Sequence, residues 1–332
     1  MQNGIFINMT LHENIELFRQ AILATAQRLQ MAEIYVEKDY WVTAALHKIF
    51  HSKAAPYSVF KGGTALSKAH RLIDRFSEDI DLVVIPSPGD SSNQLKNKLR
   101  AVTAAVTELL PEIEVAGTTN KRGMIRKTAH VYKKIGVSGI YGQVRETIIL
   151  ETTWLGSSDP HIPLPVSSYI TDMMMFAGQG TLIQQYALGP FTVQVLSKER
   201  TFCEKIMSLV RFSLTETPYR DLANKIRHIY DLHMMLKDPE IRGFLASADF
   251  DRMLIQVGTD DKASFKNNNT WLATHPAKTI IFNDPTGSWK QIRSPYQTTF
   301  KNLVMGILPV EEELVGSLQQ IGERLGSITW NI

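Results

Sequence analysis

Between residues 60 and 85 the chain reads FKGGTALSKAHRLIDRFSEDIDLVVI, an order of elements that few folds accommodate. The stretch 57–60 is a short apolar strand running into Gly62-Gly63-Thr64, and residues 65–73 form a helical run exposing Lys68, His70 and Arg71. A strand over 79–85 follows, stopped by Pro86, Pro88 and Gly89. Residues two apart on a strand face the same side. Asp79 and Asp81 therefore stand together, and two like charges at that distance repel strongly unless a cation lies between them. This is the geometry of a Mg2+ site. The backbone N–H groups of a glycine turn that opens a helix, at the positive end of the helix dipole, suit a phosphate. Gly62, Gly63, Thr64 and Lys68 are thus candidate nucleotide contacts, and a phosphate turn beside paired carboxylates points to chemistry on a nucleoside triphosphate. A strand with an acidic exposed face would share the Asp-x-Asp spacing; the upstream turn argues against that reading.

The 332 residues exceed the roughly 250–300 beyond which single cores tend to divide, so two domains are expected. A linker rich in Pro, Ser and Asp at 157–165 sets them at 1–160 and 161–332. Helical spacing marks 12–30, 31–51 and 91–110, the last with Ser91 or Ser92 as N-cap and Pro111 at its stop. From 112 to 154 the pattern becomes strand-like, over 113–115, 125–135 and 144–150. Residues 191–196 form another strand, and helices dominate from 201 to the end. The fold expected is α+β, a mixed sheet with flanking helices followed by a mainly helical C-terminal domain. A net charge of +3 permits a nucleic-acid partner without demanding one. The single cysteine, Cys203, leaves no internal disulfide and no Cys-based metal site, which fits a reducing cytoplasm. No long apolar run or signal-peptide pattern occurs, so a cytoplasmic protein without a membrane partner is expected.

Two further stretches bear on chemistry. The middle strand is basic, with Arg126, Lys127, Lys133 and Lys134 around His130 and Tyr132. Positive charge guards an edge strand against pairing, and it also suits a phosphate backbone; both readings stand. The apolar run Ile148-Ile149-Leu150 places Glu151 in the sheet, where an isolated carboxylate is costly and needs a partner. A metal held by Asp79 and Asp81 is the partner expected. Glu37-Lys38-Asp39-Tyr40-Trp41 is a charged and aromatic pentad, either a solvated face or, through Lys38 and Asp39, the rim of a site.

The segment KGGTALSKAHRLIDRFSEDIDL resembles the motif of the AbiEii/AbiGii nucleotidyltransferase toxins, part of the polymerase-beta-like nucleotidyltransferase superfamily. Glu37-Lys38-Asp39-Tyr40-Trp41 is similar to that family's N-terminal signature, Arg200-Thr201-Phe202-Cys203-Glu204-Lys205 to its R-T-F-x-E-K segment, and Arg227-His228-Ile229-Tyr230-Asp231-Leu232 to its R-H-x-Y-D-L segment. The resemblance implies a nucleotidyltransferase core, a helical domain after it and a nucleotide in the cleft between. It also implies that Lys205 faces the triphosphate and that Asp231 is needed for activity. The family often has an arginine shortly after that lysine; Arg211 lies near the place but out of register.

The expected activity is transfer of a nucleoside monophosphate from a triphosphate, with one or two Mg2+ ions held by Asp79, Asp81 and Glu151. Through the family, the expected acceptor is RNA, in particular the acceptor end of tRNA, and the expected setting is a toxin–antitoxin or phage-defence system with a cognate antitoxin. The competing readings are a nucleotide-binding or protein-interaction module without transfer, and nucleotidylation of a protein.

Overall fold

The computed structural model describes residues 8–139 and 144–332. The first seven residues, where no export signal was read, lie outside them. Backbone contacts divide the chain into two compact units. The first contains the chain up to His70, Phe76–Trp154 and His161–Val195; the second contains Arg71–Arg75, Leu155–Pro160 and Leu196–Ile332. The segment His161–Val195, which begins inside the linker expected from the sequence, groups with the first unit, and the short stretch Arg71–Arg75 with the second.

The first unit opens with α1 (Ile15–Leu29) and α2 (Glu33–Phe50). Strand β1 (Ser58–Lys61) leads directly into α3 (Gly62–Lys68), and β2 (Ile80–Val84) precedes α4 (Ser92–Thr107). Then come β3 (Glu112–Ile113), β4 (Ile125–His130), β5 (Ile148–Thr153), β6 (His161–Val166) and, after two short helices, β7 (Phe191–Leu196). The strands form one mixed sheet in the order β3-β4-β5-β2-β1-β7-β6. β1 runs antiparallel to β2 and parallel to β7, β2 parallel to β5, and β4 antiparallel to β5. The two strands joined through the glycine turn are therefore central, and their residues Phe60, Ile80, Leu82 and Val84 pack into one core with the apolar faces of α2 and α4.

Local chemistry explains most of these boundaries. α4 begins in a capping box, with Ser91 accepting from the Gln94 N–H and Gln94 answering the Ser91 N–H, and its apolar stripe Leu99, Val102 and Val106 is buried. β5 starts at Ile148, later than the apolar pattern predicts, because the carbonyls of Arg145 and Thr147 turn to Lys38 and not to a neighbouring strand. α3 ends at Lys68, short of the predicted 73.

The second unit is helical. Its helices include α5 (Lys198–Phe212), α6 (Ile226–Met235), α7 (Ala248–Ser264) and α8 (Glu311–Leu325). Phe202, Ile206, Leu209, Tyr230, Leu232, Phe250, Leu254, Leu314, Leu318 and Ile321 are all essentially inaccessible and make its core. At about 1.5–3 kcal/mol for each large apolar side chain removed from water, these faces hold the helices together. No helix among the described residues is long and apolar enough to cross a membrane.

Candidate active site

Strand register lays charges in a row across the sheet. Lys61 on β1 is opposite Asp81 on β2, Asp81 is opposite Glu151 on β5, and Glu151 is opposite Lys127 on β4. Register partners project from the same face of a sheet, so the row reads cation, carboxylate, carboxylate, cation. Lys127 Nζ lies 3.0 Å from Glu151 Oε2. Asp79 comes one residue before β2, and Arg145 Nη1 is 3.3 Å from each of its carboxylate oxygens. Burial, and after it the charges of Asp79 and Glu151, push the Asp81 carboxyl up to about 7 against the opposing pull of Lys61 and Lys127.

The glycine turn is built against this row. Gly62 has φ +78°, in the left-handed region, and a methyl group there would collide with Asp81 Oδ2 and lie 3.1 Å from the Asp81 carboxyl carbon. Only a bare backbone fits so close to that carboxylate. Thr64 is 1% exposed; its hydroxyl donates to the Asp79 carbonyl at 2.5 Å and accepts from the Ser77 hydroxyl at 2.9 Å, fastening the start of α3 to the entry of β2. No side chain caps α3 at its N-terminus.

Among the described residues no three His, Cys, Asp or Glu side chains converge as a ready ligand set. Arg145 holds Asp79 and Lys127 holds Glu151, so two of the three carboxylates are turned towards cations. The donors nevertheless fit a hard divalent ion, for which carboxylate oxygens are the preferred ligands. The Asp81 carboxyl is raised by burial first and then by the charges of Asp79 and Glu151, and a bound cation would offset both.

Other residues expected near the site lie in the interior. Lys38 and Asp39 are 0% and 3% exposed, so neither forms a solvent-facing rim. Asp39 accepts from the Tyr169 N–H at 2.7 Å and pairs with Lys68, whose ammonium also lies over the Tyr169 ring. Lys68 is thus directed to Asp39 and is not an exposed helix charge, as the pattern of 65–73 suggested. Three consecutive charges can all be buried because successive helical positions point about 100° apart. Glu37 accepts from the Ile135 N–H, Lys38 turns to Glu78, and Asp39 to Lys68.

In the second unit Lys205 and Asp231 meet, with Lys205 Nζ 2.6 Å from Asp231 Oδ2. Arg75 grips the same carboxylate in a two-point contact, Nε to Oδ1 at 2.7 Å and Nη2 to Oδ2 at 2.8 Å. Asp231 is fully buried. Burial alone would raise its pKa, but Arg75 and Lys205 outweigh it and hold the carboxyl well below the usual range. Burial first, and then Lys205, keeps His228 neutral.

The basic stretch is largely neutralised. Arg126 donates to Thr103 Oγ1 at 2.9 Å and lies 3.6 Å from Glu112, Lys127 pairs with Glu151, and Lys134 pairs with Glu146 at 2.6 Å. Lys133 is exposed.

A family model described as the nucleotidyl transferase AbiEii toxin of type IV toxin–antitoxin systems matches residues 44–310. The chain belongs to the AbiEii family. It is a nucleotidyltransferase, of the toxin kind found in type IV toxin–antitoxin systems. No curated protein matches the sequence. Among solved structures, MenT4, a nucleotidyltransferase toxin from Mycobacterium tuberculosis, aligns at 16% identity and a TM-score of 0.48 over 95% of this chain and 90% of its own.

The AbiEii match spans the glycine turn, all three sheet carboxylates, Lys205 and Asp231, while Glu37-Lys38-Asp39 precedes it. Three cations of these clusters escaped the sequence reading. Lys61 adjoins the glycine turn, and β-pairing with Asp81 was the signal that could have found it. Arg145 and Arg75 reach their carboxylates across 66 and 156 residues of sequence, where no local pattern connects them.

Proposed function

We propose that this AbiEii protein transfers a nucleoside monophosphate from a nucleoside triphosphate to RNA, with Mg2+ as cofactor and the acceptor end of tRNA as the target. The observation that supports the reading is the closeness of the glycine turn to the Asp81 carboxylate, so tight at Gly62 that an added methyl would collide with Asp81 Oδ2. Asp79 and Asp81, with Glu151 beside them, are the residues that would hold the ion. Its chemistry when bound is to neutralise triphosphate oxygens and acidify the acceptor hydroxyl.

The chain's own groups do the remainder. The N–H groups of Gly63 and Thr64 donate to phosphate oxygens, and Thr64 keeps the turn in register with Asp79. Lys205 supplies positive charge for the triphosphate, held in one rotamer by Asp231. Lys133, with Arg126, Lys127 and Lys134, offers the RNA backbone a set of cations. In the reaction the acceptor oxygen bonds to the α-phosphorus, the bond from that phosphorus to the β-bridging oxygen breaks, pyrophosphate leaves, and the hydroxyl proton passes to water. Most of the rate enhancement would come from positioning and charge stabilisation. A cognate antitoxin is the expected protein partner.

Incubating the purified protein with labelled triphosphates, Mg2+ and total RNA, then analysing both RNA and protein by mass spectrometry, tests the proposal. Label on the 3′ end of tRNA that disappears with Asp79→Ala supports it. Label on protein alone would transfer the reading to protein nucleotidylation, and tight triphosphate binding with no pyrophosphate release would reduce it to a binding module.

A further inference from the structure

A lysine ammonium with no exposure needs three acceptors, and Lys38 has three. Its Nζ pairs with Glu78 Oε2 and donates to the carbonyls of Arg145 and of Thr147, the latter at 2.8 Å. Glu78, 2% exposed, uses its other oxygen to accept from the Arg145 N–H at 3.1 Å. The result is a closed knot of one side-chain pair and three backbone groups. One strand of the knot is the residue immediately before Asp79. The other is the segment that runs straight into β5, which carries Glu151. Between them, the Arg145 guanidinium lies against both oxygens of Asp79.

We infer that Lys38 is a positioning residue for the carboxylate row: it fixes the entry to β2 and the entry to β5 against each other, and so sets Asp79, Arg145 and Glu151 in place. The inference rests on the reading of Asp79 and Asp81 as ion ligands. A point charge with three rotatable donors fits the task, since it can meet a carboxylate and two carbonyls that converge from different directions. Glu37 and Asp39, its neighbours on α2, tie down the chain at Ile135 and Tyr169 instead, so the knot at Glu78 and β5 belongs to Lys38 alone among the three. Residues that orient metal-binding groups typically change ion affinity by 10–100-fold when removed.

The test compares the full-length protein with a Lys38→Met/Glu78→Gln double variant, which removes both buried charges together, and with Lys38→Arg, which keeps the charge but not the three-acceptor geometry. Mn2+ binding is measured by calorimetry, alongside hydrogen exchange at 144–150 and melting temperature. The expected result is a melting temperature close to wild type, faster exchange confined to 144–150 and the residues around Glu78, and Mn2+ affinity lowered about 10–100-fold in the double variant. Lys38→Arg is expected to shift exchange and affinity in the same direction, and it decides the matter if the double variant does not fold. Unchanged exchange at 144–150 in a folded variant overturns the inference, as does wild-type Mn2+ affinity. If the wild type itself binds no Mn2+, the ligand reading of Asp79 and Asp81 fails, and the exchange measurement still decides the role of Lys38.

Discussion

Gly62 packs its bare backbone against the Asp81 carboxyl group at a φ of +78°, so one position meets a steric and a conformational demand together. Gly62→Ala is expected to suffer both. Holding a non-glycine residue in the left-handed region costs about 1–2 kcal/mol, and the collision must displace Asp81. A shift of the order of 1 Å at reacting groups lowers rates about 10²-fold, so transfer should fall at least that far. Gly89→Ala is the control: φ there is +84° with nothing within 4 Å of the added methyl. It should lower the melting temperature while leaving transfer intact. Equal loss of activity in both variants would show that the collision with Asp81 is irrelevant.

Asp231 and His228 give the second unit a defined response to acid. A carboxyl held below its ordinary value by Arg75 and Lys205, against the opposing effect of burial, stabilises the fold above its unfolded pKa, near 4, and loses that contribution as pH falls through the folded value. His228 is depressed, by burial first and then by Lys205. The unfolded chain therefore takes a proton below about 6.5 that the fold refuses, and stability again declines as pH falls. Denaturant unfolding between pH 3 and 8 should show two successive losses on acidification. His228→Gln should reduce the upper one, to which His12, His47, His130 and His233, also depressed by burial, contribute as well. Asp231→Asn should reduce the lower one and cost about 3–5 kcal/mol at pH 7, because Lys205 stays buried without that counter-charge. A flat profile for the wild type would refute the assignment.

The glycine turn, β2 and α4 were legible because each is specified within some twenty residues: turn glycines, an apolar run, an N-cap serine ahead of an apolar stripe. Of the candidate residues, Asp79 and Asp81 stood out by local spacing, and Lys205 and Asp231, which pair with each other, by resemblance. Burial at the Glu37-Lys38-Asp39 pentad was hidden, since charged residues are rarely buried unless paired and the partners lie at Glu78, Arg145, Thr147, Lys68 and Ile135, far off in sequence. The partner of Glu151 was hidden likewise. A basic strand was visible, but its register against β5, which places Lys127 opposite Glu151, depends on a pairing that no single strand encodes.

That pairing makes Glu151 separable from its surroundings. Lys127 and Glu151 are both partly exposed, and exposed ion pairs contribute little to stability. Lys127→Met and Glu151→Gln should therefore melt within about 0.5 kcal/mol of wild type. If Glu151 serves the ion site, Glu151→Gln should weaken Mn2+ binding and lower transfer about 10–100-fold, whereas Lys127→Met, which frees the carboxylate, should tighten Mn2+ binding. Identical Mn2+ affinity in all three proteins would confine Glu151 to its pairing with Lys127.

The same neutralisation limits what the basic stretch can add to RNA binding. Each cation that neutralises a phosphate contributes about 0.7 to the slope of log affinity against log salt for single strands, but only if it is not already occupied. Arg126, Lys127 and Lys134 have carboxylate partners, so binding RNA there exchanges one counter-charge for another; Lys133 is exposed. Lys133→Ala should therefore reduce the salt slope of tRNA binding by nearly the full increment. Lys134→Ala should reduce it by less, and Glu146→Gln, which releases Lys134, should steepen it. Filter binding across a salt series would measure all three. A slope unchanged by Lys133→Ala and by Glu146→Gln would remove this stretch from the RNA surface and leave it as a guarded region of sheet.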